Sequence, residues 1–516
     1  MRQSTRIIYN VFAGYTGQIF GAIVSMLLVP FLVHRLTKQG YGVFLLALSV
    51  GMVIELIRAN VGKSTTIQMA RHLAHHEYDH VSELLSTATV LISIVGVLGG
   101  VIVIVLRSWI VGFFTLSPEW IATFETALVL VAIRIMVAFP FMGSVGLLLA
   151  LQRYDIEVSR TRSTQILRAI VIVVCFTVFE PLVELLLVIE IAMQLVLGLW
   201  VVVATRKLCP RVHLRLRHFR KDKVGEILHI GVFIFLKQIG TMLSSLGPQW
   251  VVGAMLGASY VTYLYLIRMV NSVLMRLVHT MTLVLVPVAS KYESLQDRNT
   301  IAELVIRGTR YSLLLVGMVL VICIPLMRPI YTIWMGPEYA FLAPYAVVLM
   351  LACIVGAPAN TSLQILDGMG KVRGTFLSTI TVAIIGLALL TAAIILKYEP
   401  IFSMTLAVTA ITALAGIGYQ LLSLLQLDIP GRRLIWSAYV LPALAFVPPI
   451  GVVGLLNWWL GPTSVVSLGG LSALGLVTYL GVVAWKVLTP SEWRLARETL
   501  VDLRSRLRWR RRKPLG

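Results

Sequence analysis

The sequence predicts an all-α, polytopic membrane protein of about fourteen transmembrane helices. Two six-helix lobes are expected, related by a parallel pseudo-twofold repeat, with two helices added. Three observations predict this. Of 516 residues, 58% are hydrophobic and 13% charged. A soluble domain is roughly half apolar and a quarter charged, so this chain cannot cover itself with a polar shell. Its mean hydropathy is +0.90. Apolar runs of ~20 residues recur along the whole length, each long enough to cross ~30 Å of hydrocarbon. Finally, the chain resembles itself at an offset of roughly 220 residues.

The expected spans are 7–34, 42–58, 84–106, 120–150, 165–180, 183–204, 227–247, 249–286, 311–334, 340–366, 375–396, 401–426, 434–457 and 465–486. The first has the basic head and apolar body of a signal peptide. It is too long for one and lacks a small-residue cleavage pattern, so it reads as a span. The run 249–286 is expected to contain a short loop near Gly257–Ser259. Prolines and glycines inside the runs are compatible with helix, because lipid-buried helices tolerate both.

With the N-terminus inside, inward segments hold 35 of the 44 lysines and arginines. Outward segments hold four: Arg35, Lys38, Arg107 and Lys397. Basic residues gather on cytoplasmic loops, so both termini are placed in the cytoplasm. The net charge of +21 is therefore first a topology signal, and secondarily suits anionic lipid. No recognised nucleic-acid module accompanies it, so no nucleic-acid partner is expected. The tail 489–516, with Trp493 and Trp509 among arginines, reads as a basic amphipathic helix lying on lipid. No outward loop is long enough to house the catalytic domain of a membrane glycosyltransferase or polysaccharide ligase.

The repeat carries the domain organisation. Gln18-Ile19 matches Gln238-Ile239, Ser25 matches Ser245, Leu36 matches Leu256, and Glu83-Leu84 matches Glu303-Leu304. "SPEW" (117–120) matches "GPEY" (336–339), Pro140 matches Pro358, and Arg153 matches Lys371. Six helices per copy is an even number, so both copies enter the membrane from the same side and their axis lies along its normal. The expected units are an N-lobe (1–220), a C-lobe (221–430), two extra helices (431–488) and the tail.

Polar residues inside the spans mark the candidate site. An intramembrane charge costs about 2.5–3.5 kcal/mol on insertion scales and must face a wet cavity, a partner or the interface. From Arg268, the residues Asn271, Ser272, Arg276 and His279 fall on one helical arc. The corresponding positions of the first copy, around Leu48, Gly51, Leu56 and Ala59, are apolar. A cationic cavity formed by Arg268, Arg276, Lys237, Arg134, Asn271 and His279 is expected. The alternative is that Arg276, His279 and Lys237 snorkel to the interface, and that Arg134 pairs with Glu55, Glu184 or Glu190. Glu55 and Arg58 are spaced for a local ion pair. Glu55 and Glu190 are candidates for ion coupling, with His279 as a further protonation site.

Several constellations are discounted. The four cysteines have no disulfide or zinc spacing. "RHLAHHEYDH" (71–80) sets His72, His76 and His80 at four-residue spacing, and a wet loop helix accounts for it without a metal. "GMGK" (368–371) lacks the spacing of a phosphate loop. No nucleophile–base set stands out. No catalytic residue, cofactor or metal is expected.

The stretch "GQIFGAIVSMLLVPFLVHRLTKQGYGVFLLALS" (17–49) carries a span, a Leu-x-x-x-x-Tyr-Gly turn and a second apolar run, and "LDGMGKVRG" (366–374) follows the tenth span. In these the chain resembles polysaccharide flippases of the O-antigen and exopolysaccharide type. They belong to the superfamily shared by multidrug/toxin extruders and the peptidoglycan-lipid flippase. Thr37 departs from the glycine usual after the leucine, which the second copy keeps as Gly257. The resemblance implies a flippase of a bacterial cytoplasmic (inner) membrane. Its implied substrate is a polyprenyl-pyrophosphate-linked oligosaccharide, and its partners are membrane lipids and other polysaccharide-assembly proteins; a monomer is expected. Arginine suits such a substrate, because its planar fork matches phosphate oxygens. The rival within the superfamily is a cation-coupled multidrug exporter. Those commonly carry an acidic residue in the first span, and residues 7–33 hold none.

Overall fold

The computed structural model describes residues 3–220, 222–462 and 464–487. Among them every regular element is a helix, and twelve helical stretches are long and apolar enough to cross a membrane. The helix Gln3–Ala74 breaks at Thr37 (φ 66°, ψ 165°), so Phe20–Leu56 makes two crossings, spans 1 (to residue 36) and 2 (from residue 38). Span 3 is Tyr78–Phe113, span 4 Pro118–Ala150, span 5 Tyr154–Val178 and span 6 Val183–Leu208. Span 7 is Asp222–Met255. Span 8 is Ala258–Ser294, span 9 Arg298–Trp334, span 10 Pro337–Gly368, span 11 Val372–Ile395 and span 12 Pro400–Leu427. Spans 13 and 14 are Gly431–Leu460 and Val465–Val487. The tail 489–516 lies outside the described residues.

The backbone repeats as the sequence does. Thr37 and its counterpart Gly257 (φ 94°, ψ 175°) make the same break between paired spans. His76 (φ 60°) and Gln296 (φ 55°) turn the next hairpin, and Gln152 (φ 56°) and Gly370 (φ 76°) the one after span 4 or 10. The Thr37 conformation belongs almost solely to glycine. There the threonine hydroxyl accepts from the Gly40 amide at 3.3 Å and caps the start of span 2.

The lobes join at the end that carries Thr37 and Gly257, through contacts that mirror one another. Thr262 Oγ1 donates to the Lys38 carbonyl at 2.7 Å. In the reciprocal position stands Gly42, whose missing Cβ would lie 1.9 Å from the Ala258 carbonyl oxygen. Lys38 Nζ donates to Tyr263 at 3.2 Å, and Thr115 bonds to the Gly253 and Ala254 carbonyls at 3.1 and 2.5 Å.

Prolines supply part of the docking. A proline has no N–H, so the carbonyl four residues earlier loses its helical donor. Pro30 leaves the Met26 carbonyl open, and Trp334 of the other lobe donates to it at 2.5 Å. Pro329 leaves the Pro325 carbonyl open, and Asn457 of span 13 donates to it at 3.0 Å. Spans 13 and 14 thus attach to span 9, where Tyr479 also donates to the Leu314 carbonyl at 2.8 Å.

Three expectations are corrected. Span 5 begins at Tyr154 rather than at residue 165, because a helix continues through arginines that a hydropathy reading assigns to a loop. Span 7 runs through Pro248 to Met255, so 249–255 belongs to it and not to span 8. The histidines of 71–80 do not share one helix: the chain turns between Ala74 and Tyr78. His72 pairs with Glu77, His80 pairs with Glu83 at 3.4 Å, and their rings lie 5.3 Å apart.

Candidate functional site

A cavity of about 440 Å³ lies between the lobes, behind the joined end, walled by spans 1, 2, 5, 7 and 8. Toward that end its wall is apolar and aromatic, with Leu32, Tyr41, Phe44, Val261, Leu264 and Tyr265. Farther in, polar side chains stand among aliphatic ones such as Leu48, Met52 and Leu246: Ser25, Ser49, Gln165, Arg168, Ser245, Arg268 and Ser272, with Gln249 nearer the joined end. The duplicated serines Ser25 and Ser245 both line it. Among the described residues no acidic side chain does.

Two guanidinium groups enter the cavity, one from each lobe. Arg168 stands ten residues before the end of span 5 at Val178, and Arg268 ten residues after the start of span 8 at Ala258. Each is therefore ~15 Å in from the same end, at one level of the bundle. Their environments differ. Arg168 is ion-paired at 2.6 Å with Glu190, a less exposed residue of span 6. Arg268 donates through Nη1 to the Ser245 carbonyl at 2.7 Å. That carbonyl adjoins the one that Pro248 deprives of its donor. Among the described residues no carboxylate pairs with Arg268. The site is also held from the other lobe's helices: Gln249 donates to the Leu45 carbonyl and Trp250 to Ser49, both at 2.9 Å.

The remaining expected residues are placed as follows. Arg276 is exposed, two turns beyond Arg268, and folds back on Ser272 through bonds of 3.1 and 3.4 Å. His279 is exposed and within 3.2 Å of Gln364 Nε2. Asn271 is buried against span 10, accepting from the Cys353 thiol at 2.5 Å. It does not line the cavity, because its position on the helix turns it into the C-lobe. Arg134 is also outside the cavity. It pairs with Glu55 at 2.8 Å, and Glu55 meets Arg58 at 3.5 Å. Arg134–Glu55 links spans 2 and 4, as Asn271–Cys353 links spans 8 and 10. The side chain of Lys237 lies outside those described.

Arg168, Gln165, Ser25, Ser49 and Ser245 were missed as site residues by sequence reasoning, whereas Ser272 lay on the arc drawn from Arg268. Arg168 shares a short stretch with Arg153, Arg160 and Arg162 and was assigned with them to an inward segment. Its depth was legible, since ten uncharged residues separate it from Phe179.

In sequence, a family model described as "Polysaccharide biosynthesis protein" matches residues 7–293. No curated protein sequence matches the chain significantly. In structure, the chain is similar to the lipid II flippase MurJ in an inward closed conformation. The TM-score is 0.67 at 15% identity, over 92% of this chain and 98% of that one. It is also similar to an inward-facing multidrug resistance MATE family transporter of the MOP superfamily, with TM-score 0.65 and 12% identity over 80% and 94%. A MATE transporter from Vibrio cholerae gives TM-score 0.58 and 13% identity over 84% and 100%. At these identities the likeness is one of fold.

Proposed function

The chain belongs to the polysaccharide biosynthesis protein family, and on that premise we propose that it carries a polyprenyl-pyrophosphate-linked oligosaccharide from the cytoplasmic to the outer leaflet by alternating access. The fold alone does not choose a substrate, since it serves a lipid II flippase and multidrug resistance transporters alike. The observation that carries the proposal is the charge of the cavity: two arginines from opposite lobes at one depth, of which Arg168 is paired with Glu190 and Arg268 has no carboxylate partner among the described residues. Arg268 has most of its five N–H donors available, because its partner is a single carbonyl. Pyrophosphate oxygens match that fork. Sugars would occupy the serine- and glutamine-lined space, and the polyprenyl tail would remain in lipid.

The excess of Lys and Arg on inward segments orients the bundle. The joined end then faces outward, and the cavity lies on its inward side. Parting of the joined end and closure of the other would release the head group outside. A cation-coupled exporter is disfavoured by the same charge, because Arg268, with no carboxylate beside it among the described residues, repels a cationic drug. Among the described lining residues no nucleophile–base set of a hydrolase or transferase stands out. We take the working unit to be a monomer.

Lipid mass spectrometry on cells lacking the gene, with the upstream sugar transferases intact, tests this. Accumulation of a polyprenyl-pyrophosphate oligosaccharide, reversed by wild type and not by Arg268→Ala protein at equal abundance, is expected. Sensitivity to cationic dyes without such a lipid would establish the exporter instead.

A further inference from the structure

We propose that His34 and Glu338 form a proton-binding latch across the joined end. Closure of that end takes up one proton, which the pair holds until the end opens. The inference rests on the alternating opening proposed above in one respect, that the lobes part here.

His34 lies three residues before the break at Thr37, in the N-lobe. Glu338 lies at the start of span 10, in the C-lobe. His34 Nδ1 is 2.7 Å from the Pro30 carbonyl. A carbonyl only accepts, so Nδ1 carries a hydrogen. The neutral ring then has a bare lone pair on Nε2, and Nε2 is 3.0 Å from Glu338 Oε1. An ionised carboxylate also only accepts. Two acceptors facing each other repel, so the contact requires one added proton, on the ring or on the carboxyl group.

Among the described residues, the other acid–base pairs lack this combination. Arg168–Glu190 and Arg134–Glu55 need no added proton, because guanidinium is always charged. His279 meets the Gln364 amide, which brings its own hydrogens. His72–Glu77 lies within one lobe and does not separate when the lobes do. Around the latch, the other ionisable groups have their own partners. Arg35 of the same helix lies over the Phe31 ring, and Lys38 bonds to Tyr263 of span 8. Tyr339 sets its ring edge against His34 at 6.1 Å and also packs on Tyr263. The pair is half-exposed on both sides, so its proton exchanges with the solution at that end. It enters and leaves on one side, which makes the latch a pH-set gate and not a route for proton transport.

The sign follows. The joined state binds the extra proton, so falling pH favours it. The test is the distance between spin labels at Ser117 and Phe341, exposed residues of opposite lobes at this end, in purified protein in lipid nanodiscs. The joined fraction of wild type should rise as pH falls, by up to about tenfold in its ratio to the open form per pH unit. Glu338→Gln can donate to the bare Nε2, so it should stay joined at every pH. His34→Phe should be less joined and indifferent to pH. A joined fraction that ignores pH in wild type, or that follows pH equally in Glu338→Gln, overturns the latch. If added polyprenyl pyrophosphate still shifts that distance, alternating opening stands without the latch. A single distance under all conditions removes both.

Discussion

Gly42→Ala isolates the joined end from the chemistry of the cavity. The new Cβ would lie 1.9 Å from the Ala258 carbonyl oxygen and 2.6 Å from its carbon. Reaching ordinary contact requires the helices to separate by about 1.5 Å. Thr262 Oγ1–Lys38 O, now 2.7 Å, and Lys38 Nζ–Tyr263, now 3.2 Å, would then pass out of hydrogen-bond range. Two such bonds contribute about 1–3 kcal/mol net, which is roughly a 5- to 150-fold shift away from the joined state. Leu48 lines the cavity, so Leu48→Cys reports the opening through labelling by a membrane-impermeant maleimide added outside. The four native cysteines without Leu48→Cys give the background. Gly42→Ala should raise the labelling rate by tenfold or so. An unchanged rate in a well-folded variant would refute the reasoning, because the lobes would then tolerate the insertion without parting.

Further predictions follow from the same contacts. Glu190→Gln should free Arg168 and tighten retention of polyprenyl pyrophosphate, measured by native mass spectrometry; weaker retention would mean that Glu190 positions Arg168 for the ligand. Asn271→Leu should leave transport intact and lower the melting temperature slightly, since Asn271 faces Cys353; loss of transport in a stable variant would return Asn271 to the cavity. Trp334→Phe removes the donor to the Met26 carbonyl and should weaken the joined state by about 1 kcal/mol, seen as faster outside labelling of Leu48→Cys. Pro30→Ala restores a helical donor to that carbonyl, and Trp334→Phe in that background should then have a smaller effect.

The fold was legible because its signals are long. Apolar runs fix the spans, and the offset repeat predicted paired breaks that the backbone carries at Thr37 and Gly257. The site was legible only in part. Arg268 stood out as a charge with no apolar excuse. Arg168 was hidden by Arg160 and Arg162, because hydropathy averages a helix with its charged extension. Asn271 and Arg134 share the helical depth of the site, yet their direction is set by contacts to Cys353 and Glu55. Periodicity along one helix gives an arc of about 140° and cannot say which neighbour fills it. The latch at His34–Glu338 joins residues 304 apart and had no local signal.

The central claim is that the cavity holds a pyrophosphate. Its most direct test is native mass spectrometry of the purified protein with polyprenyl pyrophosphate and with the polyprenol of equal length, for wild type and Arg268→Ala. The account predicts at least tenfold preferential retention of the pyrophosphate by wild type, equivalent to about 1.4 kcal/mol, and loss of that preference in the variant. Equal retention of both lipids by wild type, or an undiminished preference in Arg268→Ala, would contradict it.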